Sequence, residues 1–179
     1  MRVIAGTLGG RTLTAAPGRA TRPTSDRVRE ALFSMLESPG GRVLDLFAGS
    51  GALGIEALSR GAEHAVFVEN ERGAADAIAE NLKALGLGPD VARLVRRDAA
   101  NALEAAAKSG DTYDLVFIDP PYREAGAWAA RLPALLVPVL APGARLVAEF
   151  GHRDELEIPG EELRRRRYGD TIVKINEIQ

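Results

Sequence analysis

Asp45-Leu46-Phe47-Ala48-Gly49-Ser50-Gly51-Ala52-Leu53-Gly54 joins two segments of different periodicity. The apolar run over residues 43–47 reads as a short buried strand, and residues 53–60 read as a helix. The join carries G-x-G-x-x-G. Glycines placed there permit a tight turn and let a ligand approach the backbone at a helix N-terminus. Taken alone, such a loop suits a dinucleotide, another nucleoside, or simple packing of helix on strand.

Working outward from the loop, strands and helices alternate. Strands are predicted over 65–68, 91–95, 113–118 and 145–150. Helices are predicted over 73–85, 99–108 and 128–139, the last interrupted by Pro133. Residues 163–167 and 171–176 flank Tyr168-Gly169-Asp170 and read as a hairpin. This alternation predicts an α/β fold with a mostly parallel sheet covered on both faces. Upstream, residues 2–13 read as two short strands around a Gly-rich turn, and residues 14–23 as a linker. Thr24 or Ser25 then caps a helix with Val28, Ala31, Leu32, Met35 and Leu36 on one face. The expected organisation is an N-terminal hairpin and linker over 1–23, followed by one domain over 24–179.

The chain has no cysteine, which excludes disulfides and thiolate chemistry, and its two histidines, His64 and His152, lack companions at ligand spacing. No metal site is expected. With no membrane-length apolar run and no signal-like N-terminus, a cytoplasmic protein is expected, with no membrane partner. The net charge is −2, but 20 of the 23 basic residues are arginine, and they are unevenly placed. Arg2, Arg11, Arg19, Arg22, Arg27 and Arg29 face only Asp26 and Glu30 within residues 1–36. That local excess suits a polyanion, and Arg2, Arg11, Arg22, Arg27 and Arg29 are candidate RNA ligands. For Arg27 and Arg29 a solvated helix face is an equal alternative. The run Arg164-Arg165-Arg166-Arg167 reads as a solvated strand, since alternation lets only half of it reach one partner. His64, Trp128 and Met35 read as structural.

Four acids close predicted strands: Asp45, Glu69, Asp98 and Asp119. Each has an alternative role as a helix cap. Asp45 is awkward beside a pyrophosphate and suits a cationic amino group. Glu69 stands where an acid accepts from ribose hydroxyls. Asp98 is placed to accept from an exocyclic adenine amine. Together they describe S-adenosylmethionine. Asp119-Pro120-Pro121-Tyr122 follows a strand that two prolines must end, since neither donates a ladder hydrogen bond. It presents a carboxylate, backbone carbonyls and an aromatic ring, which is an acceptor surface for a flat N–H-bearing group. A plain Pro-Pro turn is the alternative.

These residues resemble a known family. Arg22-Pro-Thr-Ser-Asp-Arg-Val-Arg-Glu-Ala-Leu-Phe33, the glycine loop through Leu58, Val68-Glu69-Asn70 and Asp119-Pro120-Pro121-Tyr122 are similar to the bacterial 16S rRNA guanine-N2 methyltransferases. Arg2-Val-Ile-Ala-Gly6, Gly10-Arg11 and Tyr168-Gly169-Asp170-Thr171 extend the likeness over nearly the whole chain. Asn70 departs from it, leaving Glu69 as the expected ribose ligand. The resemblance implies a Rossmann-like class I methyltransferase with a seven-stranded, mostly parallel sheet whose last strand is antiparallel. It also implies S-adenosylmethionine as donor, and one guanine of 16S rRNA as target, in the assembled 30S subunit or an assembly intermediate. A monomer is expected.

The expected catalytic residues are Asp119, Pro120, Pro121 and Tyr122. The expected cofactor residues are Asp45, Phe47, Gly49, Ser50, Gly51, Glu69, Asn70, Asp98 and Ala99. Other readings of the same motifs are an amino-methyltransferase on DNA adenine, another RNA or a protein amide; an NAD-type oxidoreductase; and a non-catalytic RNA-binding module.

Overall fold

The computed structural model describes residues 1–15, 26–36, 38–121, 125–151 and 156–179. The elements are α1 (Asp26–Leu36), β1 (Arg42–Asp45), α2 (Ala52–Ser59), β2 (His64–Val68), α3 (Arg72–Leu85), β3 (Ala92–Val95), α4 (Ala99–Ser109), β4 (Tyr113–Ile118), α5 (Ala125–Leu136), β5 (Leu140–Gly151), β6 (Glu161–Tyr168) and β7 (Thr171–Glu177).

All seven strands form one sheet in the order β3-β2-β1-β4-β5-β7-β6. β1 to β5 pair in parallel, while β7 runs antiparallel to both β5 and β6. The expected antiparallel last strand is thus present, lying between β5 and the edge strand β6. Strand alternation sorts the apolar residues into two cores. Leu44, Val66, Val116, Leu146 and Phe150 meet Leu103 of α4 and Trp128, Leu132 and Leu136 of α5. Val43, Phe67, Phe117, Val147 and Val173 meet Phe33 of α1, Ile55 of α2 and Ile78 of α3.

Three expectations change. The interruption at Pro133 is absent, because α5 runs through it and only then tightens into a 3-10 turn over Val137–Val139. Its loss of one backbone donor is outweighed by the fully buried Leu132 and Leu136, which hold the same helix face against the sheet. β5 starts five residues early, its added turn absorbed by a register shift against β4 between Tyr113 and Leu115. At the N-terminus, the two expected strands reduce to one antiparallel bridge, Arg2 with Thr12.

That N-terminal segment is fastened to the domain by buried polar side chains. Glu56 of α2, wholly buried, accepts from the Ile4 and Ala5 amides (2.7 and 3.1 Å) and from Arg60 Nε (2.7 Å). Ser59 Oγ accepts from the Leu8 amide at 3.0 Å. Asn81 of α3 accepts from the Thr14 amide (2.7 Å) and donates to the carbonyls of Thr14 and Ser50 (both 3.0 Å). Val3 and Leu13 join the core of the domain. Residues 1–14 are therefore part of the domain's packing, and the boundary expected at residue 23 does not separate their core from it.

Candidate active site

β1 lies at the centre of the sheet, with β2 on one side and β4 on the other. The chain order reverses between β1 and β4, and ligands of open α/β sheets bind outside the carboxyl ends of the strands at such a point. Asp45, the last residue of β1, pairs with Phe67 and Phe117. Glu69 and Asp119 each lie two residues past those partners, so both project about 7 Å beyond the level of Asp45, one on either side of it. The sheet thus brings three of the four predicted acids around one mouth.

Asp45, Glu69 and Asp98 also hold backbone amides. Asp45, 3% exposed, accepts from the Gly54 amide in the first turn of α2 (3.0 Å). Gly51, the N-cap of that helix, carries no side chain, so the cap comes from the neighbouring strand end. Glu69, also 3% exposed, accepts from Gly49 through Oε2 (2.8 Å) and from Asn70 and Glu71 through Oε1 (3.0 and 2.9 Å). It therefore ties the glycine loop to the end of β2. Asp98 is the N-cap of α4, taking the Ala100 and Asn101 amides on Oδ1 (2.9 and 3.3 Å). Its Oδ2 has no protein hydrogen bond among the described residues. The cap role weighed for these acids is real, and it coexists with their position at the mouth.

The glycines divide by task. Gly51 has φ of +79°, a left-handed conformation that a side chain would strain. At Gly54 a Cβ would lie 2.4 Å from the Phe67 ring, so this glycine lets α2 settle on β2. The third glycine of the motif is thus structural, and the first two shape the loop. Ser50, half-buried in the loop, offers its carbonyl to Asn81. Phe47 meets Trp128 of α5 edge-on, with ring centroids 5.2 Å apart, forming an aromatic wall on the α5 side. Ala99 is buried and Asn70 is exposed just past Glu69. A cavity of about 390 Å³ runs between α4 and the sheet, bounded by Leu46, Val68, Val95, Arg97 and Leu103.

Asp119 and Pro121 are half-buried and Pro120 is buried. Tyr122 and Arg22 lie outside the described residues, as does His152. Among the described residues no group of three His, Cys, Asp or Glu side chains could hold a metal ion, and no helix is long and apolar enough to cross a membrane.

The basic set separates. Arg2 is exposed and lies 4.0 Å from Asp26, and Arg27 is exposed with no ion pair among the described residues. Arg11 is exposed but donates to the Ala84 carbonyl at 3.0 Å. Arg29 is a correction: it is fully buried, donating to the Arg2 carbonyl and to Asp26 Oδ1 (3.0 Å). Burial pushes its pKa down, opposed by Asp26 and Glu56. A guanidinium enclosed in this way holds the N-terminal segment and does not meet RNA. Helical periodicity puts it on the polar face of α1, where Arg27 and Glu30 stay exposed and the N-terminal segment meets Arg29 through the Arg2 carbonyl.

A family model described as conserved hypothetical protein 95 matches residues 1–177. The Bacillus subtilis protein named "Putative rRNA methyltransferase YlbH" is 45% identical over 98% of this chain and 97% of its own length. The Escherichia coli K12 protein named "Ribosomal RNA small subunit methyltransferase D" is 42% identical over 69% of this chain and 61% of its own length. A solved structure described as "Putative methyltransferase yhhF from Escherichia coli" superposes with a TM-score of 0.84 at 34% identity, covering 100% of this chain and 98% of that one. On a match spanning almost every residue, with the class I methyltransferase fold already evident in the strand order, the chain belongs to the conserved hypothetical protein 95 family.

Proposed function

We propose that this chain transfers a methyl group from S-adenosylmethionine to the exocyclic N2 of a guanine in small-subunit rRNA. The observation that carries the reading is the pairing of two devices across the switch point. A glycine loop held by Glu69 closes one side, and Asp119-Pro120 ends the adjacent strand β4 on the other. The names of the relatives from Bacillus subtilis and Escherichia coli support rRNA as the substrate class.

The donor fits the residues present. Asp98 Oδ2 suits the adenine amine, with the apolar walls of Val95 and Leu46 nearby for the ring. Glu69 suits the ribose hydroxyls, and Asp45 the cationic amino group. When bound, the donor supplies a methyl on a positively charged sulfur. The rest of the chemistry belongs to the chain. The guanine amine is a poor nucleophile because its lone pair is delocalised into the ring. Asp119 and the Pro120 carbonyl accept its two N–H bonds, turning the lone pair toward the methyl. As the N–C bond forms the methyl–sulfur bond would break, its electron pair leaving with the sulfur as a neutral thioether, and Asp119 takes the proton the amine releases. Orientation and a fixed negative charge account for most of the acceleration. Tyr122 is assigned to stacking on the base, a contact worth about 1–3 kcal/mol in single-stranded recognition.

The test is transfer of labelled methyl to deproteinised 16S rRNA and, separately, to 30S particles from cells lacking the enzyme, followed by mapping of the modified base. One N2-methylguanine is expected, with the assembled or partly assembled particle as the better substrate. Label on adenine N6, on DNA or on protein would replace this reading with a different amino-methyltransferase.

A further inference from the structure

The four arginines of β6 are not equivalent. β6 is the edge strand, and its pairing with β7 aligns Arg164 with Ile175 and Arg166 with Val173. Ile175 and Val173 belong to the core beneath α1, so Arg164 and Arg166 share the α1 face of the sheet. Arg165 and Arg167 take the opposite face, and both are occupied. Arg165 lies over the Phe150 ring (5.9 Å) and near Glu162 (3.7 Å). Arg167 donates to the Gly169 carbonyl (2.7 Å) and lies 4.0 Å from Asp170. On the α1 face, Arg166 reaches only the Arg165 carbonyl (3.2 Å), and Arg164 has no polar partner among the described residues. Both are exposed.

Register relates this pair to the catalytic loop. The last β4–β5 pair is Ile118 with Ala148, so Asp119 lies beside Glu149. Glu149 pairs with Val173, and Val173 with Arg166. Arg166 therefore lies in the transverse row of Asp119, three strands away or roughly 14 Å, and Arg164 lies one pleat lower, about 7 Å further down. That spacing resembles the step between successive phosphates of a single strand. Glu149, the acid of this row, is 9% exposed, while Arg166 is exposed. α1 packs on the same face, its last turn held by Arg145 on the Leu36 and Ser38 carbonyls.

We infer that Arg164 and Arg166, on the α1 face of the edge strand, grip the phosphates of the RNA strand whose base enters the Asp119 loop. This rests on the rRNA methyltransferase reading. The outward half of β6 is then one arm of the RNA interface. Arg165 and Arg167 take no part in it.

The experiment compares Arg164→Gln with Arg166→Gln in one double variant against Arg165→Gln with Arg167→Gln in another. Binding of the 16S rRNA substrate is titrated from low to moderate salt, with calorimetry of the donor and thermal melts alongside. The first pair is expected to weaken RNA binding roughly 5–20-fold at low salt and to flatten the slope of log affinity against log salt by about 1.4, two phosphates at about 0.7 each. Donor affinity and Tm stay unchanged, and the second pair keeps the full slope. Equal slopes for both pairs and the unmodified protein would overturn the inference and leave all four arginines as guards against edge-to-edge pairing. If the unmodified protein methylates no RNA, the proposed function falls and the inference falls with it. If it methylates rRNA while the first pair keeps the wild-type slope, only the inference falls.

Discussion

At the scale of single residues, the acids proposed to hold the donor also hold the backbone of the glycine loop and of α4. The sequence predicts Glu69 as a ribose ligand from its place after an apolar strand. It does not reveal the bond to Gly49, 20 residues away, because only the parallel pairing of β1 with β2 brings the two together. Glu69→Ala should therefore weaken donor binding and lower stability together. Removing a buried carboxylate that takes three backbone amides should cost about 3 kcal/mol, or roughly 6–12 °C in Tm, with Glu69→Gln in between. Calorimetry and a thermal melt check both effects, and an unchanged Tm would mean that the loop holds without it. Asp119 makes the contrasting case. Asp119→Ala should reduce methyl transfer roughly 10²–10³-fold, in the range of losing one positioned electrostatic group. Donor affinity should stay within a few-fold. Transfer at near wild-type rate would remove Asp119 from the chemistry.

At the scale of elements, what decided the structure was polar pairing over long sequence distance. The N-terminal segment reads as a hairpin with a linker because its glycines and alternation are local signals. Glu56, Ser59 and Asn81 carry no such signal. They lie on helices whose apolar faces dominate the pattern, and their partners are 51 to 67 residues away. Periodicity does not reveal the burial of Arg29 for the same reason, since its partner, the Arg2 carbonyl, lies in a segment that periodicity does not place. Glu56→Ala strands the Ile4 and Ala5 amides and leaves Arg60 without its carboxylate. It should cost about 3 kcal/mol and raise amide exchange through residues 3–13 while α4 and β4 stay protected. Uniform exchange across the molecule would show that the segment and the domain open as one unit.

At the scale of the whole molecule, the two ends of the sheet differ in chemistry. The carboxyl ends gather acids around the switch point. The amino ends carry Arg42, Arg93 and Asp111, linked by ion pairs of 2.9 and 3.8 Å, with His64 among them. Burial pushes the His64 pKa below its ordinary 6.5, aided by Arg42 and Arg93 and opposed by Asp111. As pH falls below 6.5 the unfolded chain takes up this proton before the folded one does. Stability from His64 is thus complete above 6.5 and is lost as pH falls through its folded pKa. His64→Gln should make Tm less pH-dependent between about pH 7 and 5 than the unmodified protein. Donor affinity should follow the same pH profile in both, because the residue is at the far end of the sheet. A variant with the full wild-type dependence would assign the effect to other groups.

Much of this protein is determined locally. An apolar run closed by two prolines must end as β4 does, and glycines between strand and helix must form a loop of this kind. The seven strands and five helices of the described residues, and the acids at strand ends, follow from periodicity and caps, which depend on neighbours a few residues apart. Only the tertiary structure decided which strands adjoin, and with that which acids converge, which arginines are covered and which two of the four on β6 face outward unpaired. Those outcomes depend on sheet register and on buried hydrogen bonds between residues 20 to 67 positions apart, and no local pattern encodes them.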